Sequence, residues 1–147
     1  PIRHEDETCT TTWRIDQHYP MEKNSKDYPN QEWLSYGVLT PIDFYALPYR
    51  CFYSKDIKNM FMAGRNISVT HIALGSTRVM RTCGLIGEVV GMAAAVCARR
   101  DAYPRDVYTT YFEDLKELMR KGTGRTDVPY TQFYHQVDRT GHQAEDR

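Results

Sequence analysis

Gly84, Gly87 and Gly91, then Ala94, Ala95 and Ala98, recur three or four residues apart in an otherwise apolar run. At about 100° per residue the six positions share a helical sector roughly 100° wide. A helix here has one side that is nearly bare backbone. Each internal glycine costs about 0.5–1 kcal/mol relative to alanine. Three of them ask for a compensating contact: another backbone, a ligand, or plain packing of the helix on a sheet. The other sides carry Leu85, Ile86, Val89, Val90, Met92 and Val96. The pattern therefore predicts a buried helix covered on most sides. A chain of 147 residues has few layers with which to cover it, which points to a further domain.

The residues before this helix extend the pattern. Met60-Phe61-Met62-Ala63 is apolar without alternation and predicts a short strand covered on both faces. Gly64 ends it and permits a positive φ or a close backbone approach. A polar loop follows, and the helix is predicted from about Ser76 to Arg99, capped by Ser76 or Thr77. The first N–H groups of such a helix have no intrahelical partner and favour an electron-rich group. Simple capping by Ser76 is the equal alternative.

Elsewhere the reading is coarser. Thr10 to Ile15 has strand-like composition, and short strands are predicted near Leu34–Leu39 and Asp43–Ala46, followed by an extended Pro48-Tyr49-Arg50. A second helix is predicted from Pro104 to Lys121, with Asp106 in its first turn and Gly122 as its stop. Its apolar stripe is Val107, Tyr111, Leu115, Leu118 and Met119. Residues 122–147 form a polar tail in which Val128–Val137 carries aromatics.

Formal net charge is zero, so no bulk attraction to nucleic acid or an anionic membrane is expected. Four cysteines lack CxxC spacing and no zinc-type cluster is visible, so no metal is expected. Cys83 and Cys97 read as small buried hydrophobes. The apolar run from Thr82 to Ala98 is short for a bilayer span and carries Glu88 in its middle, so no membrane span is expected.

Several stretches resemble a known family. They are Trp13 to Pro20, Leu47-Pro48-Tyr49-Arg50-Cys51, Asn59 to Ser68, His71-Ile72-Ala73 with Ser76-Thr77-Arg78-Val79-Met80, and Gly84 to Ala94. Together they are similar to the C-terminal part of bacterial FAD-dependent oxidoreductases of the glutathione-reductase-like superfamily. The resemblance spans roughly residues 10 to 121. It implies an α+β fold: a fragment of a two-domain flavoenzyme, with short strands, a glycine-rich buried helix and a C-terminal amphipathic helix. Residues 1–58 would be the substrate side and 59–121 the C-terminal part of the FAD-binding domain. It further implies that Ala63, Gly64 and Arg65 lie beside FAD, with Ser76, Thr77, Arg78, Val79 and Met80 at the pyrimidine edge of the flavin. Many superfamily members carry Gly-Asp after the strand; here it is Gly64-Arg65. A GxGxxG fingerprint is absent from this sequence. The resemblance thus implies that a Rossmann portion of the same protein is the partner, and that this chain alone would neither retain FAD nor catalyse.

His71 is the candidate acid–base residue, and Asp16 with His18 a second pair. Tyr49 and Arg50 are candidate substrate-binding residues for a small molecule, and Arg65 could hold an anion. Three other classes fit the residue types. One is a carbohydrate-binding module using Trp13, Tyr28 and Trp33. Another is a polysaccharide lyase using Tyr49, Arg50 and His71. The third is a non-catalytic interaction segment, whose apolar helix would drive homo-oligomerisation.

Overall fold

The computed structural model describes residues 3–20 and 35–124. Residues beyond these, including Tyr28, Trp33 and Val128–Val137, lie outside the described part. Among the described residues four strands form two antiparallel pairs: β1 (Glu7–Thr10) with β4 (Ala46–Pro48), and β2 (Ile15–Pro20) with β3 (Ser35–Thr40). In the second pair Ile15 faces Thr40 and His18 faces Gly37. Four helices follow: α1 (His71–Thr77), α2 (Met80–Arg100), α3 (Pro104–Thr109) and α4 (Phe112–Lys121). The α+β class expected from the sequence is what these elements make.

One face of α2 organises the core. Ile86, Val89, Ala93 and Val96 are fully buried and cluster with Cys9, Leu47, Tyr49 and Phe52 on one side and Val107, Leu115 and Met119 on the other. Fully burying each large aliphatic side chain contributes about 1.5–3 kcal/mol. Polar bonds tie the strands to the helices inside this core. Thr12 N–H donates to Thr82 Oγ1 at 3.1 Å, and the two hydroxyls are 2.8 Å apart. The Tyr45 hydroxyl lies 2.8 Å from Ser76 Oγ, and the Tyr49 hydroxyl donates to the Pro104 carbonyl at 2.8 Å.

The opposite face of α2 corrects the expectation of an enclosed helix. Gly84, Gly87, Gly91, Ala94, Ala95 and Ala98 are all exposed. Nothing lies within 4 Å of a β-carbon placed on any of the three glycines. The described elements supply neighbours on one side only. By length and composition the 21-residue α2 could cross a membrane, although Glu88 lies mid-helix and one face packs in the core.

Other boundaries shift for local reasons. The single helix predicted over 76–99 is two helices, because Val79 is extended and starts α2. Ser76, Thr77 and Val79 disfavour helix continuation through side-chain competition and β-branching. Ser76 and Thr77 therefore end α1 and do not cap α2. The helix predicted over 104–121 breaks at Thr110-Tyr111, where the β-branched Thr109 and Thr110 stand side by side. Its ends match the expectation: Asp106 accepts from Tyr103 N–H at 2.9 Å, and Gly122 terminates α4 with φ 66°. Met60–Ala63 is not a buried strand. It makes one bridge, Tyr53 to Phe61, and remains half-exposed. Tyr49–Phe52 is a 3-10 turn, not an extended segment. The strand expected at Asp43–Ala46 begins at Ala46, and residues 11–14 form the link between β1 and β2.

α1 packs on β2 through Gly75. A β-carbon there would lie 2.9 Å from the Asp16 carbonyl oxygen and 3.1 Å from its nitrogen. Backbone cannot give way as a flexible side chain can. Gly75→Ala is expected to cost about 1–3 kcal/mol, read as a lowered denaturant midpoint at unchanged slope.

Cys9 is fully buried, and burial pushes its thiol from 9.0 up to about 12. Between those values the unfolded chain loses a proton that the folded chain keeps. Stability should therefore fall as pH rises above 9, by up to about 1.4 kcal/mol per unit from this group. Urea midpoints measured from pH 8 to 10 should drop less steeply in Cys9→Ala than in the parent chain.

Candidate functional site

β2, α1 and the 3-10 turn Gly64–Asn66 enclose a groove of about 550 Å³. Asp16, His18, Arg65, His71, Gly75 and Arg78 are among its lining residues. Each is placed by a local feature. Asp16 and His18 are two apart on β2, and so share a face of the strand. His71 is the first residue of α1, whose N-cap Thr70 accepts from Ala73 N–H at 3.3 Å. It opens a helix, where the sequence had suggested a loop. Arg78 follows the last turn of α1 and reaches back to β2.

Asp16 joins two of these side chains. Its Oδ1 is 3.1 Å from His18 Nε2, and its Oδ2 is 3.6 Å from Arg78 Nη2. The same Arg78 nitrogen donates to the Asp16 carbonyl at 3.2 Å. Arg65 and His71 are exposed, and their side chains make no hydrogen bond or ion pair to a described residue. The groove thus gathers two guanidiniums and two imidazoles around one carboxylate. Among the described residues no cluster of ligands suits a metal ion.

A second feature adjoins the groove. Gly64 has φ 80°, in the left-handed region where a side chain is strained. A β-carbon there would lie 4.0 Å from Cys83 Sγ, on the first turn of α2. Ala63 and Arg65 flank it and are exposed. Val79 starts α2 without any side-chain cap, and Met80 is 93 % exposed. The N-terminus of this 21-residue helix thus has no side-chain cap at Val79 and lies close to an uncluttered glycine turn. Burial pushes the Cys83 thiol up, and the charge of Arg65 partly opposes this.

A family model described as FAD dependent oxidoreductase matches residues 2–119. The chain belongs to the FAD-dependent oxidoreductase family. No curated protein and no solved structure matches it. FAD is the family's cofactor, and the corner at Gly64 suits it chemically. A flat ring needs main chain without side chains in front of it, and its electron-rich edge suits a helix N-terminus that has no side-chain cap. Ala63, Gly64, Arg65, Arg78, Val79 and Met80 are the residues of this family member that could hold it.

The remaining expected site residues are elsewhere. Ser76 and Thr77 are fully buried, so neither side chain reaches a ligand at the surface. Tyr49 is fully buried beneath α3 and donates to Pro104. Arg50 forms a two-pronged pair with buried Asp6, Nη2 to Oδ1 at 2.9 Å and Nε to Oδ2 at 3.1 Å, while its backbone N–H also donates to Oδ2. Its guanidinium lies 5.3 Å from the Tyr108 ring centre. The structure does not bring Tyr49 or Arg50 into the groove. The sequence reading also missed Gly75, since a lone glycine in a polar stretch gives no sign of which strand will approach it.

Arg50→Ala would leave the Asp6 carboxylate in the interior with one N–H donor. A loss of about 3 kcal/mol or more in unfolding free energy is expected, read by chemical denaturation.

Proposed function

We propose that this chain is the C-terminal part of an FAD-dependent oxidoreductase of the glutathione-reductase-like, two-domain type. Residues 59–121 contribute one wall of the flavin site and residues 1–58 the substrate side. The observation that carries the reading is the pairing of the Gly64 turn with the uncapped start of α2. When FAD is bound it supplies two-electron chemistry. The chain's part is to offer main-chain donors and bare backbone to the ring, with Arg65 and Arg78 at the border between ring and groove. His71 lines the groove and is the candidate to move a proton there.

The bare face of α2 supports a missing partner. Six small residues in a row of turns stand open to solvent. A nucleotide-binding portion of the same protein would cover them and bring the pyrophosphate and adenosine contacts that this sequence lacks a GxGxxG to make. A second copy of the chain is the competing occupant.

The reading has a direct test. The purified chain is expected to be colourless after gel filtration with added FAD, whereas the full-length protein keeps its flavin band. Flavin held by the chain alone would overturn the fragment reading. The glycines give an independent check. In the chain alone Gly84→Ala and Gly87→Ala should each stabilise by about 0.5–1 kcal/mol. In the full-length protein Gly87→Leu should weaken flavin retention. Light scattering that showed a tight dimer of the chain through this face would favour the second copy.

A further inference from the structure

We propose that the groove between β2 and α1 is a subsite for a monocarboxylate, with Arg65 and Arg78 as the side chains that hold the anion. The groove's cations outnumber its anions: two guanidiniums, Arg65 and Arg78, line it with the single carboxylate of Asp16 and with His18 and His71. Asp16 does not use up the basic groups. It holds Arg78 through Nη2 alone, by its carbonyl at 3.2 Å and its carboxylate at 3.6 Å. Nε and Nη1 of Arg78 make no hydrogen bond to a described residue, so a positioned guanidinium retains free donors. Arg65 makes no such bond at all, and His18 takes the other oxygen of Asp16. A guanidinium steadied through one nitrogen, with N–H donors left on the others, can add a single charge-assisted hydrogen bond to a carboxylate that Arg65 engages.

The charge count selects the anion. Asp16 stands among the same cations and repels a second charge, so a monoanion is favoured over a phosphate dianion. The volume, about 550 Å³, suits a small organic molecule. Arg65 directly follows Gly64 in sequence. An anion held there would place the rest of the molecule next to the proposed ring. That the anion is the enzyme's substrate rests on the flavoenzyme reading above; that the groove binds it does not.

Benzoate is the probe, and benzamide its neutral counterpart. Each is titrated into the full-length protein at constant pH and ionic strength, followed by calorimetry and by the imidazole proton signals of His18 and His71. Benzoate should bind saturably and shift both signals, and benzamide should not. Arg78→Gln should weaken binding at least tenfold. Arg65→Gln, at an exposed position with no hydrogen bond or ion pair to a described residue, should do the same without disturbing the fold. Equal binding of benzamide, or unchanged affinity in Arg65→Gln, would overturn the proposal. Tighter binding of inorganic phosphate would overturn the choice of a carboxylate. Competition between FAD and benzoate would assign the cations to the cofactor and overturn it as well. Benzoate binding in a protein that takes up no FAD would support the subsite while removing the flavoenzyme reading.

Discussion

Where α1 meets β2, Gly75 brings helix and strand backbones together more closely than any side chain would allow. The rest of the candidate site follows from that distance. It places the end of α1 over Asp16, so Arg78 can reach both the carbonyl and the carboxylate of that residue. With α1 fixed, Val79 turns the chain, α2 starts beside Gly64, and the groove acquires its third wall from Gly64–Asn66. A methyl group at residue 75 would act on all of these through one contact.

α2 serves two environments. Its aliphatic stripe is the centre of the core, fixed by Thr82 to the strand linker and by Arg100 to Asp114 of α4 at 2.7 Å. Its small-residue stripe faces outward. A helix with an amphipathic surface normally turns charge to water; α4 does so, with Lys116–Glu113 and Lys121–Glu117 pairs on its outer side. α2 turns glycine and alanine outward. This difference between neighbouring helices is the physical ground for the proposed further layer over α2.

The sequence reading was reliable where the signal was local and periodic. The apolar positions Leu85, Ile86, Val89 and Val96, the first-turn Pro104, and the stop at Gly122 all behave as their spacing suggests. It failed where a tertiary contact outweighed the local preference. Met60–Ala63 had strand composition but found one bridging partner. Ser76 looked like a helix start, yet its hydroxyl is drawn inward to Tyr45. Tyr49 and Arg50 had the chemistry of a binding pair. Their neighbours, Pro104 and Asp6, lie 55 and 44 residues away, and a linear reading gives no hint of either. In the groove, His71 and Arg65 were legible as isolated candidates. Asp16 with His18 was legible as a pair, since two residues apart on one strand share a face; the link from Asp16 to Arg78 was not, because it depends on how α1 packs against β2.

All four cysteines have their thiols pushed up by burial, Cys9 most of all. Peroxide and disulfide exchange act on the thiolate, not on the neutral thiol. A polypeptide from a redox family therefore carries its sulfur in a chemically quiet form. The four thiols are free, and burial favours the protonated form of each over the nucleophilic thiolate.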